Sequence, residues 1–287
     1  AIPVISVMGI QACPLPTAVL SAQTGFPSYY CDDYTDRMDA IMEEWKKMDF
    51  YPDGIYTGFL ADARQADKAV EFIEQFAKED TKILIDPVMG DNGEEYPIYT
   101  EALCEKMRFL VRRATVITPN LTEALLLLYG AQRAHVLWKE LSLMDEERLL
   151  KFTESTGKEL SKEFDTEVVI TGIDLPAREN HQEMGNLICK DGVQTWVSTV
   201  KEGGSYSGTG DLFASVLSAG MVKGMDTVQL PSAEYWSYGT EMPQAYYLLQ
   251  VSGHLPSKTF QTEIMLLLRA KIRSLKILPF FSPLWPS

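Results

Sequence analysis

The fold is decided by residues 54–91, which have the sequence GIYTGFLADARQADKAVEFIEQFAKEDTKILIDPVMGD. Two short β-prone runs, Gly54–Tyr56 and Lys82–Ile85, flank a stretch, Asp62–Lys78, in which apolar residues recur every three or four positions. This period predicts an amphipathic helix between two strands. A strand, a crossover helix and a second strand together predict a parallel pair within one sheet.

The same alternation continues along the chain. Further β-prone runs at Thr115–Thr118 and Glu167–Thr171 follow helical stretches, whereas two β-prone runs between Asn186 and Val200 are joined by Asp191-Gly192, a hairpin signal. We therefore predict a three-layer α/β/α fold with a mainly parallel central sheet and a late antiparallel hairpin. Ligands of such sheets bind beyond the carboxyl ends of the strands.

The composition of the 287-residue chain is that of a folded protein, with 46% hydrophobic and 23% charged residues. A net charge of -14 repels phosphate backbones and anionic lipids, which argues against nucleic acid and membrane surfaces as partners. The four cysteines have no CxxC spacing, so we expect reduced thiols rather than a zinc site or disulfides. No signal peptide or membrane span is apparent, and a cytoplasmic protein is predicted.

Acidic side chains follow two of the predicted strands. Asp86 and Asp91 come after the strand at Lys82–Ile85, and such a pair can organise Mg²⁺, although both residues can equally cap turns. Asn120 and Glu123 are three residues apart, which places them on one face of a first helical turn. A capping box is the more ordinary explanation of that spacing.

Two further strand or turn ends offer groups to a phosphate. Thr171 and Gly172 provide a hydroxyl and a backbone N–H, but any buried strand can end in this way. The glycine-rich turn at 203–211 is more informative because it leads into a helix with free N-terminal N–H groups. Asp211 then lies in the first turn, where it can accept the proton of an attacking hydroxyl, the alternative being a simple helix cap. The anion hole beside it is predicted at Gly208, Thr209 and Gly210.

The ordered series of motifs is more specific than any one of them. Neither GxxxxGK[ST] nor a protein-kinase HRD set is present. The series DPVMGD, TPNLTE, VVITG, hairpin and GTGDLFAS resembles the ribokinase superfamily in its pyridoxal kinase branch, from about Ser6 to Lys223. The resemblance implies a ribokinase-like fold and transfer of phosphate from ATP to the 5′-hydroxymethyl group of pyridoxal, pyridoxine or pyridoxamine.

The resemblance also implies roles for particular residues. Asp211 matches the catalytic base, and the three residues before it match the anion hole. Mg²⁺, partly through water, is expected at Asp86, Asp91 and Glu123. Further ATP contacts are expected at Thr118, Asn120, Thr171, Gly172, Gly208 and Gly210. The substrate ring is expected at Thr17, Ala18, Thr24 and Phe59, for which core and turn packing is the alternative. A monovalent cation such as K⁺ and a homodimer are also implied.

The chain departs from the family pattern at both ends. In that family a strand and a small-residue turn precede the segment that matches the start of this chain, so we expect roughly the first strand and a half to be missing. We assign residues 1–225 to the kinase domain and 226–287 to an atypical C-terminal segment, with membership of the same domain as the alternative. The alternative functions are a hydroxymethylpyrimidine kinase and a catalytically silent binding protein.

Two polar segments and the histidines have no assigned chemistry. Residues 92–96 and 176–185 are interpreted either as flaps that exclude water from the phosphoryl group or as surface loops. The three histidines, at His135, His181 and His254, show no ligand spacing with one another. No role is predicted for them.

Overall fold

The computed structural model describes residues 1–22, 27–178, 181–201, 208–228 and 230. Within these ranges the strands are β1 (Ala18–Leu20), β2 (Cys31–Asp33), β3 (Gly54–Thr57), β4 (Lys82–Ile85), β5 (Gly90–Asp91), β6 (Glu94–Glu95), β7 (Val116–Ile117), β8 (Glu167–Arg178), β9 (His181–Lys190) and β10 (Val193–Val200). The helices are α1 (Ile2–Val7), α2 (Thr35–Lys47), α3 (Ala63–Phe76), α4 (Glu101–Val111), α5 (Leu121–Leu141), α6 (Glu146–Phe164) and α7 (Thr209–Val222). The predicted C-terminal segment falls mostly outside these ranges.

The central sheet has six strands in the order β10-β9-β8-β7-β4-β3. Strands β3, β4, β7 and β8 are parallel, and β9 and β10 join them as an antiparallel hairpin. Two small antiparallel pairs, β1-β2 and β5-β6, lie apart from it. The predicted mainly parallel sheet with a late hairpin is therefore confirmed.

Helices cover both faces of the sheet. Successive residues of a strand point to opposite faces, so a single strand contributes to two cores. In β4, Ile83 and Ile85 pack into a core formed with α3, α4, α5 and α6, while Leu84 packs into a second core with α1 and α7. This arrangement gives the predicted three layers. Gly157 lets α6 lie close to the sheet, since a Cβ atom there would be 2.6 Å from Cys189 Sγ.

The bounds of several elements differ from those predicted. The helix predicted at 62–78 spans Ala63–Phe76, with Asp62 as its N-cap, accepting from the backbone N–H groups of Arg64 and Gln65. Residues 176–185, interpreted above as a flap or loop, instead belong largely to β8 and β9 within the described residues. Backbone pairing between these two strands continues past the parallel part of β8, and this outweighs the polar composition of the segment.

Two further features of the described residues concern their helices and their cysteines. None of the helices there has both the length and the apolar composition that crossing a bilayer requires. All four cysteines, of which Cys104 and Cys189 are buried, have free thiols.

Candidate active site

The carboxyl end of β4 delivers a buried acid to the edge of the sheet. The Asp86 backbone N–H donates to Thr57 O at 2.9 Å, and Thr118 Oγ1 donates to Asp86 Oδ1 at 3.2 Å. Burial, and next the charge of Asp211, raise the pKa of Asp86 to about 7, against the lowering effect of the Thr118 hydrogen bond. Asp86 and Asp211 therefore share one electrostatic environment although 125 positions separate them in the sequence.

The start of α5 contributes a second buried acid. Asn120 Oδ1 accepts from the Glu123 backbone N–H, and Glu123 Oε2 accepts from the Asn120 backbone N–H, both at 2.9 Å, so the capping box is confirmed. Glu123 Oε1 also accepts from the Met89 backbone N–H at 3.2 Å. Burial first and the charge of Asp86 second raise the pKa of Glu123 well above its ordinary value. Glu123 thus caps the helix and belongs to the acid cluster as well.

The β5-β6 hairpin holds Asp91 at the exposed rim of this cluster. Asn120 Nδ2 donates to Gly90 O at 2.8 Å, and the Gly93 backbone N–H donates to Thr122 Oγ1 at 2.9 Å. The hairpin is therefore fixed to the first turn of α5. The predicted flap at 92–96 is the turn and second strand of this hairpin.

The pKa of Tyr96 indicates that the four predicted acids lie close together. Burial raises the pKa of its phenol to about 12, and four negative charges add to that effect. Those charges belong to Asp91, Glu123, Asp86 and Asp211. Within the described part of the chain no lysine or arginine forms an ion pair with any of the four. The cluster thus offers several carboxylate oxygens without a paired lysine or arginine, which suits a divalent cation.

The N-terminus of α7 faces this cluster. Gly208 has a φ of 90°, a left-handed conformation that favours glycine, and a Cβ atom at either Gly208 or Gly210 would meet open space. No described side chain caps this helix start, where Thr209 begins the first turn. Asp211 is exposed, and its Oδ1 accepts from Tyr56 Oη at 3.3 Å. The predicted base and anion hole are therefore adjacent and accessible.

The predicted substrate segment, here the residues around Thr17 and Phe59, comes close to Asp211 at Gly58. Thr17 Oγ1 donates to Phe59 O at 3.1 Å, which links the two regions predicted to contact the ring. The neighbouring Gly58 is close enough to Asp211 that a Cβ atom there would be 3.7 Å from Oδ1. Ala18 is half-buried in β1. Thr24 lies outside the described residues.

One predicted phosphate contact differs in the structure. The Thr171 backbone N–H donates to Pro119 O at 3.0 Å, and the Gly172 backbone N–H donates to Asn186 Oδ1 at 3.2 Å. The Gly172 N–H that we predicted for a phosphate thus already has a protein acceptor. The reason is the antiparallel strand β9, which brings Asn186 alongside the end of the parallel part of β8.

Two residues near the site were missed by the sequence analysis. Tyr56, which donates to Asp211, has the appearance of an ordinary core aromatic in a strand. Gln65 is fully buried, and its Nε2 donates to Thr17 O at 2.7 Å and to Thr35 Oγ1 at 2.9 Å. A glutamine four residues before Ala69, on the apolar face of a helix, was the signal that could have revealed it.

The raised pKa of Asp86 predicts how stability depends on pH. Its pKa is about 7 in the fold and near 3.8 in the unfolded chain, so the folded protein binds the extra proton between these values. This group therefore destabilises the metal-free protein as the pH rises from about 4 to 7, by up to ~1.4 kcal/mol per pH unit. Asp86→Asn should remove this fall and be more stable than wild type at pH 8. Urea unfolding from pH 4.5 to 8 measures it, and parallel curves for the two proteins would contradict it.

The fold and the grouping of these residues define the class of protein. An α/β/α protein with acids at the carboxyl edge of its sheet, beside a glycine-led helix start, has the architecture of the ribokinase-like small-molecule kinases. A family model described as phosphomethylpyrimidine kinase matches residues 2–233. The chain therefore belongs to the phosphomethylpyrimidine kinase family, whose members are phosphotransferases with an alcohol group as acceptor.

Solved structures support this assignment. A protein from Bacteroides thetaiotaomicron that is described as a phosphomethylpyrimidine kinase, crystallised with pyridoxal, is 35% identical with a TM-score of 0.67, the match covering 80% of this chain and 76% of that one. Pyridoxal kinase from Lactobacillus plantarum is 20% identical, with a TM-score of 0.65 and coverage of 96% and 83%. Pyridoxal kinase from Leishmania donovani, in complex with ADP and pyridoxamine, is 23% identical, with a TM-score of 0.61 and coverage of 86% and 80%. These two pyridoxal kinases share the fold of this chain.

Proposed function

We propose that this protein transfers the γ-phosphoryl group of ATP to the 5′-hydroxymethyl group of pyridoxal, pyridoxine or pyridoxamine. The observation that carries the proposal is the position of Asp211. Its carboxylate lies beside Gly58 of the substrate segment and shares the electrostatic environment of Asp86. An acceptor hydroxyl and the phosphates of a nucleotide can therefore meet next to one proton acceptor.

Asp211 acts as the general base in this reaction. It accepts the proton of the hydroxymethyl group while the oxygen of that group bonds to the γ-phosphorus, and the bond from that phosphorus to the leaving ADP oxygen breaks. Tyr56 donates to Oδ1 and orients the carboxylate. The backbone N–H groups of residues 208–210 face the negative charge of the transferring group, helped by the dipole of α7.

We assign the bound nucleotide and Mg²⁺ to the acidic edge of the sheet. Asp86, Asp91 and Glu123 would hold the ion, partly through water, and bound Mg²⁺ neutralises phosphate charge during transfer. The raised pKa values of Asp86 and Glu123 support this assignment, because burial first, and the charge of a neighbouring acid second, disfavour the ionised carboxylates in the absence of a cation. Thr118, Asn120 and Thr171 line the same edge and are proposed to contact ATP.

The B6 vitamers are the proposed substrates because a relative that is 35% identical was crystallised with pyridoxal. Thr17 and Phe59, which are joined by a hydrogen bond, are the residues proposed to contact the ring. The second candidate substrate is hydroxymethylpyrimidine, which the description of the matching family favours. We further propose a cytoplasmic homodimer, in keeping with the four free thiols and the resemblance to pyridoxal kinases.

Substrate choice can be decided by comparing kcat/KM among the candidate substrates. The assay measures kcat/KM of the purified full-length protein with Mg-ATP, separately for each of the three B6 vitamers and for hydroxymethylpyrimidine. Mass spectrometry identifies the phosphorylated product. We expect the highest kcat/KM for one of the B6 vitamers. A higher kcat/KM for hydroxymethylpyrimidine would replace the substrate proposal and keep the kinase. Folded protein that turns over none of the four would instead favour a catalytically silent binding protein.

A further inference from the structure

Three metal-ligating side chains come together outside the acid cluster. Glu94 and Glu95 lie in β6, and His135 lies in the second half of α5. One ligand atom from each residue is within 4.8 Å of the other two, and His135 Nε2 is 2.9 Å from Glu95 Oε2. No sequence pattern indicates this group, because 40 positions separate the histidine from the nearer glutamate.

We propose that Glu94, Glu95 and His135 bind one divalent transition-metal ion, with Zn²⁺ as the first candidate. Neighbouring ligands of an ion with bonds of ~2.1 Å are themselves about 3.0 to 3.4 Å apart, in octahedral and tetrahedral geometry respectively. The His135–Glu95 distance is already close to that spacing. One imidazole and two carboxylates form a mixed nitrogen and oxygen set, which suits Zn²⁺ better than Mg²⁺.

The surroundings of the group hold it in place and leave room for water. Trp138, one turn beyond His135 on the same face of α5, packs against Gly93 in the hairpin turn, where a Cβ atom would overlap the indole ring. The helix and the hairpin thus contact each other at two places, Trp138 with Gly93 and His135 with Glu95. The His135 side chain is 44% exposed and that of Glu95 18%, so water can reach an ion there and complete its coordination.

A simple hydrogen bond between His135 and Glu95 is the competing explanation. It leaves out Glu94, whose carboxylate has no hydrogen-bond or ion-pair partner among the described residues and yet offers an oxygen within 4.8 Å of a ligand atom of each of the other two. A bound ion would use all three side chains. The test therefore depends on the effect of Glu94, which a two-residue hydrogen bond does not require.

A bound ion would act on the rim of the candidate active site. The hairpin that carries Glu94 and Glu95 also carries Asp91, and its Gly90 carbonyl accepts from Asn120. An ion shared with α5 would therefore join the hairpin to the helix and stabilise both, since it binds only where the two lie together. This site is separate from the proposed Mg²⁺ cluster, and it requires no phosphoryl transfer.

Equilibrium dialysis of the full chain with Zn²⁺, after chelator treatment and without nucleotide, tests the proposal. Wild-type protein should bind one more equivalent of Zn²⁺ than either His135→Gln or Glu94→Gln, or bind it at least ~10-fold to 100-fold more tightly. His181→Gln, which removes an exposed histidine from β9, should bind as wild type does. Zn²⁺ should also raise the Tm of wild type more than that of either cluster variant.

The controls separate this site from any other Zn²⁺ ligands on the chain. Binding elsewhere, including at the acid cluster, would be equal in all four proteins and would cancel in the comparison. Equal stoichiometry and affinity in wild type, His135→Gln and Glu94→Gln would overturn the proposal. So would a loss in His135→Gln alone, because Glu94 would then not be a ligand.

Discussion

Replacement of Asp211 by asparagine is expected to lower kcat for phosphoryl transfer by about 100-fold to 10,000-fold. The amide has nearly the same shape as the carboxylate but cannot take the proton of the attacking hydroxyl. Its oxygen can still accept from Tyr56, which donates to Oδ1 in the wild-type protein. Asp211→Asn should therefore leave the start of α7, and the affinity for ATP, close to wild type.

Single-turnover kinetics with the preferred substrate, together with calorimetric ATP binding, would measure this effect. Asp67→Asn is a matched control, because Asp67 is an exposed aspartate on α3 whose ion pair with Lys106 lies at the surface. Its kcat should equal that of wild type. If Asp211→Asn retained wild-type kcat, Asp211 would lose the role of base, whatever the substrate.

The same variant has a second, structural readout. The charge of Asp211 is the second-largest cause of the raised pKa of Asp86. Its removal should lower the pKa of Asp86 and move the pH-dependent loss of stability to lower pH. Such a shift would show that the two side chains interact in solution, independently of turnover.

The central sheet was predictable because its signals are local. The continuous apolar run Ile83, Leu84 and Ile85 is enough to indicate a strand covered on both faces, and these side chains do divide between two cores. Asp191 and Gly192 both have positive φ, at 51° and 76°, as the two-residue hairpin turn requires. Each of these features depends on a few consecutive residues.

Other parts of the fold depend on contacts that sequence distance hides. Strand β8 continues to Arg178 because β9 pairs with it, with a register shift next to Gly172, whose φ is 74°. The non-helical residue Gly130 (φ 74°) divides α5 into two parts, and Arg108 Nη2 donates to Leu126 O at 3.0 Å nearby. No periodic pattern in the sequence marks either feature.

The residues of the candidate site likewise fall into those that could be predicted from the sequence and those that could not. The rule that parallel strands end at one edge of a sheet directed attention to Asp86 and Glu123, and the resemblance to pyridoxal kinases placed them with Asp211 in one predicted site. The rule could not find Gln65, which donates to Thr17 of the proposed substrate segment from within a helix, or His135, which meets Glu95 across two elements. Both contacts depend on how helices are placed against the strands and hairpins.

Phe76→Ala is expected to cost about 3 to 5 kcal/mol of stability, the range for deleting a buried aromatic side chain. Phe76 is 2% exposed, and its ring stacks on Phe72 with centroids 4.7 Å apart. Phe50 lies 6.5 Å from it, and Trp45 packs edge-on against Phe72, so the rings join α2 to α3. The substitution would leave a cavity where these elements meet the sheet.

Phe109→Ala is the matched control, since that ring is 62% exposed and its loss should change stability by no more than ~0.5 kcal/mol. Urea midpoints measured by circular dichroism compare the two variants, and equal midpoints would contradict the prediction. In α3, Phe76 lies about 17 Å along the axis from Gln65, which donates to Thr17 of the proposed substrate segment. We therefore expect Phe76→Ala to keep wild-type kcat at temperatures where it is folded, whereas Asp211→Asn keeps stability and loses kcat. A loss of kcat in folded Phe76→Ala would mean that the packing of α3 positions the substrate segment through Gln65.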